Sequence, residues 1–515
     1  MRRSRTRSPK WQRRLIHPPR AVIDIGSNTV RLVIYEGTGR APETVWNEKV
    51  AARLGRDLSD SGRIPEEAAQ EAMAALARYA MLLDDRQIED VQTIATAAAR
   101  DASNGQEFLA RVAALGLEPR LLSGEEEACI SAFGAIGAFP GAEGIVADLG
   151  GGSLELVKIA GNDCRDAVSL PFGTLRLPQF RAADPGLAKT LNDRLASVGW
   201  ADAQADTLYM VGGTWRALAH YAMTAADYPL TDPHGYCIAV EEVRAFCHEL
   251  ATADPEKLLT ISGITEMRAA YLPNAAAMLL PLLEAIRPKR LVFSSWGIRE
   301  GLLYARLTDI QRAIDPLLSA VHAFAEPRDA PVVDAARVAG WTADLANGAG
   351  KRNERLRLAS AQLAAALQRV EPNLRTNHAT EWALDKRWID CTARDRAMIC
   401  AALYGSLNRT EIPAKLRELA DDDDLREAIT WGLGFRLARR LGAGARAALG
   451  NSKLRRKKKS LVLYVDQSRA ALATWPVTND LEILASWLGL TPKIKIGEYR
   501  SKDDLDEDEP VTENA

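Results

Sequence analysis

The sequence predicts an α/β protein with two duplicated domains around a cleft, followed by a helical domain and a small α+β module. Three observations support this. Strand and helix signals alternate between residue 21 and about residue 310. Residues 24–32, DIGSNTVRL, match residues 148–156, DLGGGSLEL, at a constant offset of 124. From about 312 to 450 the pattern is helical, as in RLRLASAQLAAALQRV, and strand character returns at SLVLYVD.

The individual elements follow from residue types and spacing. The first segment contains three β-rich runs, AVIDIG, VRLVIYE and VQTIAT. A helix is predicted over IPEEAAQEAMAALARYAMLL, with Pro65 in its first turn, and another begins at SGEEEACISAF. The second segment runs through GIVADLGGG, YMVGGTWRALAHYA and KRLVFSSWGIREGLLYA. The first helix should bury one apolar face, formed by Met73, Leu76, Ala77, Ala80 and Leu83.

Composition limits the class of protein. The chain has 515 residues, which suggests three or four domains. It has no run of 18 apolar residues, and no apolar segment follows the basic N-terminus, so neither a membrane span nor a secretory signal is predicted. Six cysteines without a CxxC pair indicate reduced thiols in a cytoplasmic protein. Six scattered histidines argue against a histidine-bound transition metal.

Charge is distributed unevenly, although the net charge is only −2. The first 20 residues are basic and residues 502–510, KDDLDEDEP, are acidic. A further basic run, KLRRKKK, occupies residues 453–459. It has two interpretations, a solvated loop or a fixed surface for a polyanion. The surface would be formed by Lys453, Arg455, Arg456, Lys457, Lys458 and Lys459.

The duplicated turns have the composition of a phosphate site. Glycine lets backbone N–H groups approach a ligand closely, which creates an anion-binding concavity. A third turn, in VGGTWRAL, lies between a strand and a helix start, which also suits an anion. The predicted phosphate-binding residues of the three turns are Ser27, Asn28, Gly151, Gly152, Ser153, Gly213 and Thr214.

Carboxylates in the same turns point to a metal ion. Asp24 and Asp148 occupy equivalent positions in the two copies and would repel phosphate unless a hard cation lies between them. Mg²⁺ is such a cation, because it takes oxygen ligands and keeps several waters. The sequence therefore predicts Mg²⁺ as the cofactor.

Six motifs resemble, in the same order, those of the exopolyphosphatase/guanosine pentaphosphate phosphohydrolase (Ppx/GppA) family: DIGSNTVRL, TAAARDASN, SGEEEA, DLGGGSLEL, VGGT and SSWGIREGLLY. The resemblance covers residues 20–308. It implies two actin-like (RNase H-like) domains, as in sugar kinases and the Hsp70 ATPase. It also implies metal-dependent removal of a terminal phosphate from inorganic polyphosphate or guanosine pentaphosphate, and by analogy a homodimer. Neither nucleic acid nor a membrane is expected as a partner.

The resemblance is weaker in the second half of the chain. Longer family members often carry a helical domain similar to HD phosphohydrolases. Here Ala365 and Ala366 stand at the place of the expected His-Asp pair, so we predict a degenerate HD-like scaffold. The predicted boundaries are a basic tail at 1–20, actin-like domains at 21–138 and 139–310, a helical domain at 311–450, a terminal module at 451–502 and an acidic tail at 503–515.

Roles within the cleft are implied by the resemblance. Glu127 would activate water, while Asp148 and Glu155, with Asp24 directly or through water, would hold the metal. Glu155 lies seven residues from Asp148 and therefore on the opposite strand parity, so spacing alone does not place both in the cleft. Glu126 is expected to close a capping box with Ser123.

Several other residues have competing interpretations. Arg31 and Arg100 are candidate phosphate clamps, because guanidinium binds phosphate oxygens as a planar fork. Arg31 could equally be a solvated strand residue, and Asn104 could cap a helix or a turn. Arg299 and Glu300 are interpreted as an ion-paired helix start, His220 as a packed histidine, and the loop of His234 is assigned no chemistry.

The sequence favours an exopolyphosphatase. The first alternative is a guanosine pentaphosphate 5′-phosphohydrolase with the same catalytic residues. A nucleotide-dependent binding module similar to Hsp70 would need a β-rich peptide-binding domain, whereas this chain becomes helical. A small-molecule kinase would need a second, dry acceptor pocket. The basic run at 453–459 favours polyphosphate over guanosine pentaphosphate, because a long polyanion needs an extended basic track.

Overall fold

The computed structural model describes residues 18–182, 186–346 and 350–497, so most of the basic tail and all of the acidic tail lie outside the described residues. The chain divides into two compact units at Ala320 and Val321. The first unit begins with β1 (Arg20–Ile25), β2 (Val30–Gly37), β3 (Pro42–Val50), α1 (Leu58–Ser61), α2 (Glu66–Asp85), β4 (Asp90–Ala95), α3 (Ala97–Asp101), α4 (Gly105–Ala113), β5 (Pro119–Leu121) and α5 (Gly124–Ala138).

It continues with β6 (Glu143–Leu149), β7 (Leu154–Ala160), β8 (Asp163–Leu170), α6 (Leu177–Ala182), α7 (Leu187–Ser197), β9 (Thr207–Val211), α8 (Gly213–Ala225), β10 (Cys237–Ala239), α9 (Val240–Leu250), α10 (Pro255–Leu258), α11 (Glu266–Ile286), β11 (Arg290–Ser294), α12 (Ile298–Ala305) and α13 (Asp309–Arg312). The predicted strands AVIDIG, VRLVIYE and VQTIAT correspond to β1, β2 and β4.

Two sheets with the same internal order confirm the duplication. The first has the order β3-β2-β1-β4-β5 and the second β10-β11-β9-β6-β7-β8. In the first sheet, β1 pairs antiparallel with β2 on one side and parallel with β4 on the other. In the second sheet, β6 pairs in the same way with β7 and β9. The prediction missed β3, because PETVWNEKV is an edge strand with a mostly exposed pattern and few apolar residues. Strand pairing, rather than apolar periodicity, forms that element.

Each sheet has its own core. Helix α2 packs on the first sheet through Ala72, Leu76, Tyr79 and Leu83. The buried face of α2 is therefore rotated slightly from the predicted one, because Met73 and Ala80 lie only at the border of this core. Helix α11 is long and apolar enough to cross a membrane by length and composition. Its apolar residues, however, are part of the core of the second sheet.

Two helices cross between the halves. Helix α5 follows the first sheet in sequence, but its alanines pack with Val146 and Val157 of the second sheet. Helix α12 follows the second sheet, but Leu302 and Leu303 pack against Val22 and Val33 of the first. The helices also touch each other, because a Cβ on Gly301 would lie 1.8 Å from the carbonyl oxygen of Ile130. The halves therefore share these two helices, and the domain boundary at residue 138 stays a prediction.

The second unit starts within α14 (Pro316–Ala325). Its further elements are α15 (Val332–Trp341), α16 (Lys351–Ala366), α17 (Arg375–Thr380), α18 (Ala393–Ser406), α19 (Ala414–Arg417), α20 (Asp422–Gly442), α21 (Arg446–Gly450), β12 (Ser452–Arg456), β13 (Ser460–Asp466), α22 (Trp475–Trp487) and β14 (Thr491–Gly497). Among the described residues from 316 to 450 there is no strand, as predicted. The three strands form a sheet in the order β12-β13-β14.

The basic run is not a loop throughout. Lys453 to Arg456 lie in β12, which pairs antiparallel with the SLVLYVD strand β13. The similarity of the helical part to HD phosphohydrolases stays a prediction.

Candidate active site

The two duplicated turns lie against each other. Both are closed by the same backbone hydrogen bond of 3.0 Å, from Gly26 N to the Thr29 carbonyl in one and from Gly150 N to the Ser153 carbonyl in the other. They touch so closely that a Cβ on Gly152 would lie 2.7 Å from Ser27 Oγ. A side chain at Gly152 would therefore separate the turns. Their backbone N–H groups consequently border one shared space, as the duplication predicts.

That space is a cavity of about 220 Å³ between the two sheets. It is lined by residues from all three predicted turns and from the start of α5. Of the residues predicted for the cleft, those lining it are Asp24, Ser27, Asn28, Arg31, Glu127, Asp148, Gly151, Gly152, Ser153, Glu155, Gly213 and Thr214.

The register of β6 and β7 resolves the parity problem of Glu155. Asp148 and Glu155 are direct cross-strand partners, and residues directly opposite in an antiparallel pair point to the same face. Asp24 and Arg31 are partners in the same way in the first copy. The carboxylates of Asp148 and Glu155 therefore both point into the cavity. Arg31 also lines the cavity and is not a solvated strand residue.

Burial and mutual repulsion dominate the electrostatics of the carboxylates. The pKa of Glu127 is raised to about 7, chiefly by burial; Arg100 opposes this rise, and the charges of Asp148 and Asp24 add to it. The pKa of Glu155 is raised well above its usual value, first by burial and second by the negative charge of Glu127. The pKa of Asp24 and that of Asp148 are raised as well, chiefly by burial. Concentrated negative charge of this kind favours a bound cation.

Hydroxyl groups hold two of these carboxylates. Ser131 donates to Asp148 Oδ2. Ser169 Oγ donates to Glu155 Oε1 over 2.8 Å. These bonds fix the direction of the carboxylates before any ligand binds.

Arg100 lies behind Glu127 and does not line the cavity. Its Nη1 donates to Glu127 Oε2 over 2.9 Å and to the Leu122 carbonyl over 3.2 Å. It therefore orients Glu127, in contrast to the expectation of a direct phosphate clamp. The predicted cap is confirmed, because Glu126 N donates to Ser123 Oγ over 3.1 Å and Ser123 N donates to Glu126 Oε2 over 2.9 Å.

Arg299, interpreted from the sequence as part of an ion-paired helix start, also lines the cavity. Its side chain is 15% exposed, and its Nη1 lies 3.7 Å from Asp24 Oδ2 in the cavity. Its Nε is buried without a hydrogen-bond partner. Glu300 does hold the helix start, since it accepts hydrogen bonds from Gly297 N and from the Tyr35 hydroxyl. The position of Arg299 inside the SSWGIREGLLY motif was the available signal.

Three further cations line the cavity and were missed by sequence reasoning: Lys49, Arg216 and Arg268. Lys49 lies on β3, which the sequence did not predict, and is the cross-strand partner of Arg31 on β2. Arg216 follows VGGT in the first turn of α8, which was a usable signal. Burial, followed by the nearby charge of Arg299, lowers the pKa of Arg31 to about 10. Clustered guanidinium groups of this kind are stabilised by a bound anion.

A model of the Ppx/GppA phosphatase family matches residues 33–309. The chain belongs to this family. Among its relatives, retrograde regulation protein 2 of Saccharomyces cerevisiae is 27% identical over an alignment of 341 residues, and the match covers 59% of this chain and 58% of that protein. The guanosine-5′-triphosphate,3′-diphosphate pyrophosphatase of Vibrio vulnificus is 26% identical over an alignment of 313 residues, and the match covers 57% of this chain and 60% of that protein. The chain thus spans less than two thirds of the length of these relatives.

A crystal structure of an exopolyphosphatase from Cytophaga hutchinsonii shares the fold. It is 24% identical, covers 58% of this chain and 99% of that chain, and superposes with a TM-score of 0.50. The pair of α/β halves therefore has the fold of that exopolyphosphatase.

Three other polar residues of this Ppx/GppA chain, Asn104, His234 and His220, make structural contacts. Asn104 ties a turn, because its amide accepts from Ile64 N over 2.8 Å and donates to the Ile64 carbonyl over 3.0 Å. His234 Nδ1 accepts from Ser295 N over 3.1 Å. Burial lowers the pKa of His220, whose ring packs against Gly263, as expected for a packed histidine.

The cavity carboxylates could contribute oxygen ligands to a divalent cation. In the part of the chain that the structure describes, no group of three His, Cys, Asp or Glu residues is arranged to hold a metal by itself. Mg²⁺ is commonly bound by one or two carboxylates together with substrate phosphates and waters. Asp24 and Asp148 at the two turns, with Glu155 beside Asp148, offer oxygen ligands of this kind.

Proposed function

We propose that the protein is an exopolyphosphatase that hydrolyses the terminal phosphate of inorganic polyphosphate and releases orthophosphate. One observation carries the proposal: a single cavity contains a buried carboxylate, Glu127, two apposed phosphate-type turns and five cations. The five are Arg31, Lys49, Arg216, Arg268 and Arg299. A chain of phosphates carries negative charge along its whole length, so several cations can bind it at once.

In this proposal, different residues of the cavity bind the phosphate, activate the water and hold the metal. Backbone N–H groups of the two turns and the arginines hold the terminal phosphate, so that charge developing on its oxygens is stabilised. Glu127, oriented by Arg100, takes a proton from the attacking water while the bond to the bridging oxygen breaks. The proton then passes to the departing phosphate chain. Mg²⁺ bound at Asp24, Asp148 and Glu155 would supply positive charge to the phosphate oxygens.

A second candidate is a guanosine pentaphosphate 5′-phosphohydrolase. Met267 and Tyr271 line the same cavity on either side of Arg268. A thioether and an aromatic ring can pack on a purine, which a bare polyphosphate would not use. The name of the Vibrio vulnificus relative points in the same direction. We further propose Mg²⁺ as the metal and, by analogy with the family, a cytoplasmic homodimer.

The test is phosphate release from long-chain polyphosphate and from guanosine pentaphosphate, measured side by side with Mg²⁺ or with EDTA. We expect a higher kcat/KM for polyphosphate and loss of release in EDTA. The reverse order of substrates would favour the second candidate. Release that is unaffected by EDTA would contradict the metal, and no release from either substrate would contradict the proposal as a whole.

The basic run contributes to a cationic face on the terminal sheet. Lys453, Tyr464 and Lys495 lie directly beside one another across β12, β13 and β14. Lys493 follows in the next row of the same face, opposite Val462. Lys493 and Lys495 are exposed, as are Lys458 and Lys459 in the turn. The sequence pointed to only one strand of this face.

The six predicted cations do not all lie on one face of the terminal sheet. Strand alternation puts Arg456 on the face opposite to Lys453 and Arg455. Arg455 is neutralised by Asp344, at 2.7 and 3.0 Å. Lys457, Lys458 and Lys459 belong to the turn before β13. We propose that long polyphosphate binds the face of Lys453, Lys493 and Lys495 together with the exposed turn lysines.

Replacing Lys493 and Lys495 with Ala should weaken binding of long polyphosphate and reduce its salt dependence. Each phosphate contact contributes about 0.7–0.9 to the log–log salt slope if nucleic-acid behaviour applies. Hydrolysis of tripolyphosphate should not change. A matched control is the K189A/K257A double variant, which removes two exposed lysines of the first unit. Equal binding of long chains by both double variants would show that this face is ordinary solvated surface.

A further inference from the structure

Two cysteine thiols are in contact beside the active site. Cys164 Sγ donates a weak hydrogen bond to Cys129 Sγ over 2.8 Å. Both residues are half-buried and free of disulfides. Cys129 lies on α5 and Cys164 on β8, so the contact joins two elements distant in sequence. The proposed hydrolysis makes no use of either thiol.

The interface between α5 and β8 supports two of the cavity carboxylates. Helix α5 carries Glu127 two residues before Cys129. Strand β8 carries Ser169, which donates to Glu155. The helix start lies directly on that serine, because a Cβ on Gly124 would come within 2.6 Å of Ser169 Cβ. A change in the spacing of α5 and β8 would therefore move both carboxylates.

We propose that Cys129 and Cys164 form a modification site, at which a low-molecular-weight disulfide oxidises them to an intramolecular disulfide that lowers turnover. One thiolate attacks the reagent disulfide and releases one reagent thiol. The second thiolate attacks the mixed disulfide and releases the other reagent thiol. The two protons lost by the cysteines end on the two released thiols. The turnover effect rests on the proposed function, whereas the crosslink itself does not.

Geometry gives the expected consequence. A disulfide requires the sulfur atoms to approach to about 2.05 Å, so the contact must shorten. Active sites are sensitive to shifts of this size, since a displacement of about 1 Å can cost about a hundredfold in rate. Burial, followed by the hydrogen bond with Cys164, raises the pKa of the Cys129 thiol to about 12. Because the thiolate is the reacting form, the oxidation should be assayed in alkaline buffer.

The experiment treats the full-length protein with oxidised glutathione at about pH 9, and then alkylates the remaining thiols for intact-mass and peptide analysis. We expect the oxidised protein to lose two of its six alkylatable thiols, with a crosslinked peptide that joins Cys129 to Cys164. Phosphate release should fall by about tenfold or more and return after dithiothreitol treatment. The variants C129S and C164S should keep their turnover during the same treatment.

The control is C237S, which removes an exposed cysteine and should respond like the unsubstituted protein. If the thiols of Cys129 and Cys164 both remain alkylatable after treatment, the proposed modification site is wrong. A crosslink that forms without any loss of turnover would overturn the regulatory effect. If the reduced protein releases no phosphate at all, the proposed function is wrong. The intact-mass and peptide analysis still shows whether the crosslink between Cys129 and Cys164 forms.

Discussion

Glu127→Gln should reduce phosphate release by about 10²–10⁴-fold, the usual contribution of a general base. The amide keeps the shape and the hydrogen bond from Arg100 but does not accept a proton from water. Binding of polyphosphate should remain within a few-fold, because the cations and turns are unchanged. The measurement is kcat with polyphosphate, together with a direct binding titration.

The matched control is Glu126→Gln, the same substitution one residue earlier. Glutamine still serves at the third helical position of a capping box, so this variant should retain its turnover. A second readout is the pH dependence of kcat/KM. Glu127 acts as a base only when deprotonated, and its pKa is raised to about 7, so the rate should fall as the pH decreases below about 7. If E127Q keeps more than half of the turnover, the base is another residue.

Asp148→Asn should raise the Mg²⁺ concentration that gives half-maximal rate by at least about tenfold. An amide is a poorer ligand than a carboxylate for a hard divalent cation. Loss of an outer-shell partner alone commonly costs 10- to 100-fold in metal affinity, and a ligand should cost no less. The measurement is a Mg²⁺ titration of phosphate release at saturating polyphosphate.

Asp166→Asn provides the matched control, because Asp166 is an exposed aspartate on β8 that pairs with Lys158. Its substitution should leave the Mg²⁺ titration unchanged. If D148N shows an unchanged half-maximal concentration and an unchanged maximal rate, Asp148 is only a turn residue. In that case the duplicated carboxylates have no role in metal binding.

Features that depend on neighbouring residues could be predicted from the sequence. The two hairpin turns are closed by hydrogen bonds between residues three apart, and the capping box of Ser123 and Glu126 spans the same distance. Glycine and serine at these positions specify such structures locally. The repeat of the turn motif likewise predicted the duplicated α/β halves. For this reason the location of the cleft and most of its turn residues followed from the sequence.

Features that depend on pairing and packing between distant elements required the structure. Glu155 faces Asp148 because of the register of β6 and β7, although its position along the chain suggested the opposite face. Arg299 enters the cavity because α12 packs on the first sheet, and that packing sets the orientation of the helix. Lys49 joins the site through β3, an edge strand with too few apolar residues to be recognised. Strand register and helix orientation are decided by contacts across the fold, which local residue patterns do not specify.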